Sequence, residues 1–213
     1  MKRNIEDLRK DYIKDVLVES DLASNPIVQF KQWFEHALKS EVNEANALVL
    51  STVSHHGAPS ARVVLLKGIE SKGFRFFTNY NSAKGKELDE NPQASMTFFW
   101  PELERQVCIN GSVEKLDPKQ SDAYFDSRPQ GSKISAIASN QSSKVKHRDE
   151  LTKEVERLEK LYENEVIQRP EHWGGYLLVP NKIEFWQGRS SRLHDRFLYE
   201  KVDDAWKTSR LAP

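Results

Sequence analysis

Arg192, His194 and Arg196 fall two residues apart near the C-terminus, inside the cationic and aromatic segment that runs from Trp186 to Phe197. In an extended strand this spacing puts all three side chains on one face. Convergent donors of this kind suit an anion such as a phosphate, whose oxygens a planar guanidinium grips in pairs. A solvated basic sheet edge would carry the same pattern, so the reading depends on what else the chain brings.

Four other segments point the same way. The run Arg62, Val63, Val64, Leu65, Leu66, Lys67 is apolar inside and cationic at both ends. It is either a core strand with charged ends in water or a strand whose two cations reach anions. Ideal alternation places Arg62 and Lys67 on opposite faces, so the strand bends or the two serve different anions. Phe77 and Thr78 end a strand-like run, after which Ser82 caps a helix that carries Lys84 in its first turn. A helix start with a hydroxyl and an ammonium is an anion site as well as an ordinary cap. Tyr124, Arg128 and Ser132 recur every four residues across a helix end and its turn, giving a phenol, a guanidinium and a hydroxyl. Gln141 and Ser142 add neutral hydrogen-bonding groups in a loop.

Composition narrows the partners. Lys and Arg total 32 and so do Asp and Glu, leaving no net field to draw in nucleic acid or an anionic membrane. Anion binding must then come from local placement, and the partner is small. The single cysteine, Cys108, forms no internal disulfide and fits a reducing compartment. The N-terminal twenty residues contain neither a signal-type apolar run nor a span, which reads as a soluble, cytoplasmic protein. No glycine-rich nucleotide cradle, histidine pair with metal spacing or serine elbow is present, so no metal is expected. Cys108 sits between Val107 and Ile109 as a structural thiol. Hard chemistry would fall to an organic cofactor.

The elements that must position these groups are mostly strands. Residues 1–24 are polar and lack a period, so they read as a mobile arm or lid; residues 25–213 read as one domain. Asn25 and Pro26 open a helix with Ile27, Phe30, Phe34, Ala37 and Leu38 as its apolar stripe. Strands are predicted over Leu48–Val53, Ala61–Ile69, Phe74–Thr78, Ala94–Trp100 and Gln106–Leu116, with a short helix from Ser82 to Glu90. Helices follow from Pro118 to Phe125, around Ser132 to Ala138, and from His147 to about Val166. Further strands are predicted over Gly175–Val179, Lys182–Gln187, Arg196–Val202 and Ala205–Arg210. A mainly β chain interrupted by a helical insertion predicts an antiparallel, Greek-key-like barrel with helices packed outside it.

Together these segments resemble the pyridoxine (pyridoxamine) 5′-phosphate oxidase family, flavoproteins of the split-barrel fold. The resemblance runs from Arg9 and Tyr12 to the terminal segment Trp206–Pro213, and is most specific over Trp186–Phe197. It implies a homodimer with FMN at the subunit interface and active sites shared between copies. It also implies that Arg62, Val63, Val64, Leu65, Leu66, Lys67, Phe77, Thr78, Lys84, Gln106, Gln141, Ser142, Trp186 and Arg196 surround FMN. Lys67, Tyr124, Arg128 and Ser132 would hold the phosphate of the substrate. Arg192 and His194 would lie over its pyridine ring as the catalytic pair, and Arg9 and Tyr12 would cover it. The chain departs from the pattern at Ala83, where many members carry Arg. The activity implied is oxidation of pyridoxamine or pyridoxine 5′-phosphate to pyridoxal 5′-phosphate, with O2 as final acceptor. A non-catalytic FMN or pyridoxal-phosphate carrier and a split-barrel flavin reductase are the alternatives. A nucleic-acid-binding barrel is disfavoured by the charge balance.

Overall fold

The computed structural model describes residues 4–8 and 10–213, so Arg9 lies outside the described residues. The strands are β1 (Ala47–Val53), β2 (Pro59–Leu65), β3 (Gly68–Ile69), β4 (Phe74–Asn79), β5 (Gln93–Trp100), β6 (Arg105–Lys115), β7 (Trp173–Gln187), β8 (Asp195–Val202) and β9 (Ala205–Leu211). The helices are α1 (Pro26–Lys39), α2 (Ala83–Glu90), α3 (Pro118–Asp126), α4 (Gln130–Ala138) and α5 (Arg148–Leu161). The strands share one sheet in the order β2-β1-β5-β6-β7-β4-β3, with β8 on β7 and β9 on β8. The pairings β3–β4, β4–β7, β7–β8 and β8–β9 are antiparallel. This is the mainly β, helix-decorated class that the alternating runs predict.

The chain divides into two compact units. One comprises Met1–Leu50, Ser95–Gly111 and Pro180–Pro213; the other comprises Ser51–Ala94 and Ser112–Val179. In the first, Asn25 caps α1 by accepting from the Ile27 N–H at 2.8 Å, and Pro26 fills the first turn, where its missing N–H costs nothing. The buried face of α1 brings Phe30 against Phe98 and Trp33 edge-on to Phe185. In the second unit, Phe125, Ile134, Leu158, Ile167 and Trp173 form a core supplied by α3, α4, α5, the segment after α5 and the start of β7. Each large side chain removed from water there contributes roughly 1.5–3 kcal/mol.

The single strand expected over Ala61–Ile69 is split into β2 and β3 between Leu65 and Gly68, and three further boundaries differ from expectation for local reasons. Strand β7 runs unbroken through Pro180, because its ladder to β4 ends at Leu178 and its ladder to β8 begins at Lys182. The missing N–H of proline falls between the two ladders. Helix α5 stops at Leu161 rather than near Val166, which is 77% exposed. Glu163 and Glu165 would place negative charge at the helix's negative end. Finally, β8 begins only at Asp195, and Ser190–Arg192 form a tight helical turn with Ser191 and Arg192 at positive φ. Arg192, His194 and Arg196 therefore do not alternate along one strand face; that expectation is corrected.

Among the described residues, no helix is long and apolar enough to cross a membrane.

Candidate active site

Much of the expected cofactor set lines one cavity in the second unit, ≈ 610 Å³ in volume. Arg62, Val63, Val64, Leu65 and Lys67 reach it from β2 and the residues just after it. Phe77 and Thr78 come from β4, Lys84 from α2, and Gln141 and Ser142 from the loop after α4. Strand β2 ends at Leu65 and β3 starts at Gly68, so the break lets Arg62 and Lys67 line the same cavity. Leu66, between them, turns into the core at 5% exposure.

Lys84 is the centre of this cavity's electrostatics. Its ammonium is buried and donates to Gln141 Oε1 at 3.0 Å, Thr78 Oγ1 at 3.2 Å and Ser82 Oγ at 3.4 Å, all neutral oxygens. Burial, reinforced by the charge of Arg62, holds its pKa below the ordinary lysine value, with Glu87 opposing. Ser82 also caps α2 by accepting from the Gly85 N–H at 3.3 Å. A Cβ at Gly85 would stand 2.1 Å from the Tyr80 carbonyl oxygen, so only glycine lets the helix start this tightly against the preceding turn. Lys84, the α2 N-terminus and Arg62 together make a positive corner suited to phosphate. Arg62 itself is held by Thr52 at 2.5 Å, by Ser60 at 2.6 Å and by Glu87 at 3.3 Å. Burial pushes the Glu87 carboxyl up, but hydrogen bonds from Thr52, Ser60 and Arg62 and the charge of Arg62 leave it below its ordinary range.

The opposite wall is aromatic. Phe77 stacks on Tyr124 at 3.9 Å between centroids and on Trp173 at 5.5 Å, with planes within 21° and 11°. Arg128 lies 4.6 Å above the Trp173 ring, and its Nη1 is buried without a hydrogen-bond partner. Burial lowers its pKa, with Tyr124 opposing. A cation over a ring with one unspent donor is suited to a second anion. Ser132, in the first turn of α4, is not among the residues lining this cavity.

A second cavity, ≈ 550 Å³, lies in the first unit and is lined by Tyr12, Arg189, Arg192 and His194 with Lys10 and Asp11. Tyr12 meets Trp186 edge-on at 5.6 Å and His194 at 5.9 Å; Trp186 and His194 are 4.5 Å apart. A Cβ on Gly188 would come within 2.7 Å of the Tyr12 ring, so glycine admits the phenol. Ser191 and Arg192 both take positive φ in the turn that brings Arg192 to this cavity, a locally strained backbone. Arg196 is spent differently: its guanidinium makes a fork with Glu184 at 2.7 and 3.1 Å and donates to the Ala212 carbonyl at 2.9 Å. Gln106 donates to Cys108 Sγ at 3.4 Å, and burial pushes the Cys108 thiol up.

The expected site thus falls into two constellations, one in each unit. Sequence reasoning missed Trp173 and Asn79 in the first and Arg189 in the second. Arg189 belongs to the same basic cluster as Arg192 and could have been included on that ground. Trp173 gives no local signal, since its ring joins Phe77 and Tyr124 only through the fold. Among the described residues, no group of three or more His, Cys, Asp or Glu is placed to hold a metal ion.

Residues 34–162 match the family described as pyridoxamine 5′-phosphate oxidase, and residues 173–213 match the pyridoxine 5′-phosphate oxidase C-terminal dimerisation region. A pyridoxine/pyridoxamine 5′-phosphate oxidase from Trichormus variabilis is 53% identical, covering 100% of both chains. One from Pseudomonas savastanoi is 51% identical with the same coverage. Among solved structures, PhzG from Burkholderia lata, in complex with tetrahydrophenazine-1-carboxylic acid, superposes with a TM-score of 0.89 at 34% identity, covering 93% of this chain and 98% of that one. A pyridoxamine 5′-phosphate oxidase-related, FMN-binding protein from Nostoc punctiforme shares the fold at a TM-score of 0.70 and 19% identity, covering 86% and 97%. A full-length match at half identity, over a fold with these two constellations, places the chain in the pyridoxine/pyridoxamine 5′-phosphate oxidase family.

Proposed function

We propose that the protein oxidises pyridoxamine 5′-phosphate and pyridoxine 5′-phosphate to pyridoxal 5′-phosphate with FMN as cofactor, the last step in making or salvaging this vitamin B6 cofactor. The observation that carries the reading is Lys84, a buried ammonium whose hydrogen bonds go to three neutral oxygens at a helix N-terminus. An ammonium so desolvated favours an anionic partner. The residues fit FMN: Lys84, Arg62 and the α2 N-terminus suit its phosphate, and Thr78, Gln141 and Ser142 supply neutral hydrogen bonds.

FMN, when bound, would supply the hydride acceptor, with O2 as the final oxidant. With the amine substrate, water and O2 are consumed and ammonia and hydrogen peroxide released; the alcohol substrate needs O2 alone and gives peroxide. The chain's own residues bind and orient. Arg128, with Tyr124 and Lys67 on the same cavity, takes the substrate phosphate; Ser132, in the first turn of α4 and outside that lining, is the fourth residue of the proposed set. Arg192 and His194 hold the pyridine ring, and Tyr12, with Arg9, closes over it. Holding the reacting groups in register supplies much of the rate enhancement. Burial, then the charges of Arg192 and Arg196, keep His194 below the ordinary imidazole value, with Asp195 opposing, so its role is that of a neutral hydrogen-bonding ring.

Residues 1–24 serve as the cover and residues 25–213 as the FMN-binding split barrel, working in the cytoplasm. The enzyme is a homodimer. The dimerisation match over 173–213 includes Trp186, Arg192, His194 and Arg196, which supports active sites shared between copies. Val63, 68% exposed on β2 beside Arg62, is apolar surface of the kind a second copy covers. The purified protein should be yellow and should generate peroxide with pyridoxamine 5′-phosphate. A colourless protein that takes up no added FMN refutes the reading. Turnover of a tricyclic carboxylic acid instead would align the chain with its phenazine-binding neighbour.

A further inference from the structure

Glu104 is 1% exposed in the turn between β5 and β6, and its own φ is positive at 55°. Its Oε2 accepts from the consecutive N–H groups of Ile13 at 2.8 Å and Lys14 at 3.0 Å. Arg105, 6% exposed, donates to Asp15 Oδ2 at 2.6 Å and to Gln187 Oε1 at 2.7 Å. The Glu104 carbonyl accepts from the Gly188 N–H at 2.7 Å, and Gln187 Nε2 donates to the Leu103 carbonyl at 3.2 Å. One buried polar node therefore holds two pieces of chain: residues 13–15, just after Tyr12, and Gln187–Gly188, which lead into the loop of Arg192 and His194.

The geometry points to Glu104 and Arg105 as positioning residues that set Tyr12 against Trp186 and His194 and so form the wall of the second cavity. The inference rests on the proposed function in taking that cavity for the substrate side. A carboxylate accepting two adjacent backbone N–H groups fixes the direction of the chain, and leaving a buried carboxylate without donors is costly, so residues 13 and 14 are held firmly. The Asp15 end of the node is more open, with its side chain 44% exposed, and can be cut without opening the core.

The test uses the full-length holoenzyme with three variants, E104A, E104Q and D15A. Removing the clamp should raise KM for pyridoxamine 5′-phosphate by about tenfold in E104A, the scale of one lost charge-assisted hydrogen bond, with kcat changed much less. E104Q keeps an acceptor oxygen and should recover most of that loss. D15A should follow E104A in direction with a smaller rise. Trypsin cleavage after Lys10, a bond whose flanking residues none of the variants changes, should quicken in E104A and D15A and not in E104Q when read by mass spectrometry. This second readout needs no turnover, so it separates failure of the clamp from failure of the proposed reaction. Unchanged cleavage in D15A, or equal KM in E104A and E104Q, overturns the assignment. Should E104A fail to fold, the D15A and E104Q arms still decide it.

Discussion

His194 Nδ1 accepts a hydrogen bond from the backbone N–H of Arg189 at 3.1 Å. An acceptor at Nδ1 leaves the proton of the neutral ring on Nε2. Burial and the neighbouring guanidinium groups of Arg192 and Arg196 favour that neutral form. Because the folded pKa is depressed, protonation of His194 belongs to acid solution: kcat/KM should be flat near neutrality and fall only below the ordinary imidazole value. The linked contribution to stability is present above the unfolded pKa and lost as pH falls through the folded one. A pH profile of kcat/KM, with His194→Asn alongside, checks this. An acid limb above the ordinary value, or one unmoved in the variant, would contradict it.

Lys84→Met keeps the length of the side chain and removes its charge. FMN affinity should weaken by about 1.5–3 kcal/mol, the value of a hydrogen bond to a charged group. Titration of the apoprotein with FMN, followed by quenching of flavin fluorescence, measures it directly.

Ala83→Arg tests the same corner in the other direction. Ala83 is exposed at the first position of α2 and lines the cavity. A guanidinium there should tighten FMN binding by up to about 1.5–3 kcal/mol, with little change in the thermal midpoint of the apoprotein.

Arg128→Met removes the guanidinium whose Nη1 lacks a partner. KM for the phosphorylated substrate should rise by about tenfold or more, while FMN content stays the same. No protein hydrogen bond is lost at Nη1, so the stability of the apoprotein in urea should fall by no more than the cation–ring contact with Trp173 contributes, about 0.5–1 kcal/mol. A drop in stability without a change in KM would make Arg128 a packing residue.

Arg192→Met should lower kcat by about 10²-fold, the scale of misplacing a reactant within a formed site, with FMN still bound. Rapid-reaction measurement of flavin bleaching under anaerobic conditions isolates that step.

Much of this architecture was legible because the relevant signals are local. Asn25-Pro26 announces the start of α1 and Pro118 that of α3, and both helices start there, capped by the Asn25 and Asp117 side chains. The pattern around Lys84 was readable because a capping serine and a lysine sit within two residues. What stayed hidden depends on distant partners. Glu104 and Arg105 look like ordinary surface charges in sequence, and only folding brings residues 13–15 and 187 onto them. The continuity of β7 through Pro180 depends on which neighbours bond on either side, which no local pattern records. The spacing of Arg192, His194 and Arg196 misled for a related reason: two left-handed residues break the period that the spacing invited.

The near-parallel stack of Phe77, Tyr124 and Trp173 also has an optical consequence. Tyr124 and Trp173 are centred 6.1 Å apart with planes within 10°, close enough for the phenol to pass its excitation to the indole. All three rings line the cavity, so a flavin entering it should quench the indole emission, and the wall becomes a built-in reporter for watching the protein load.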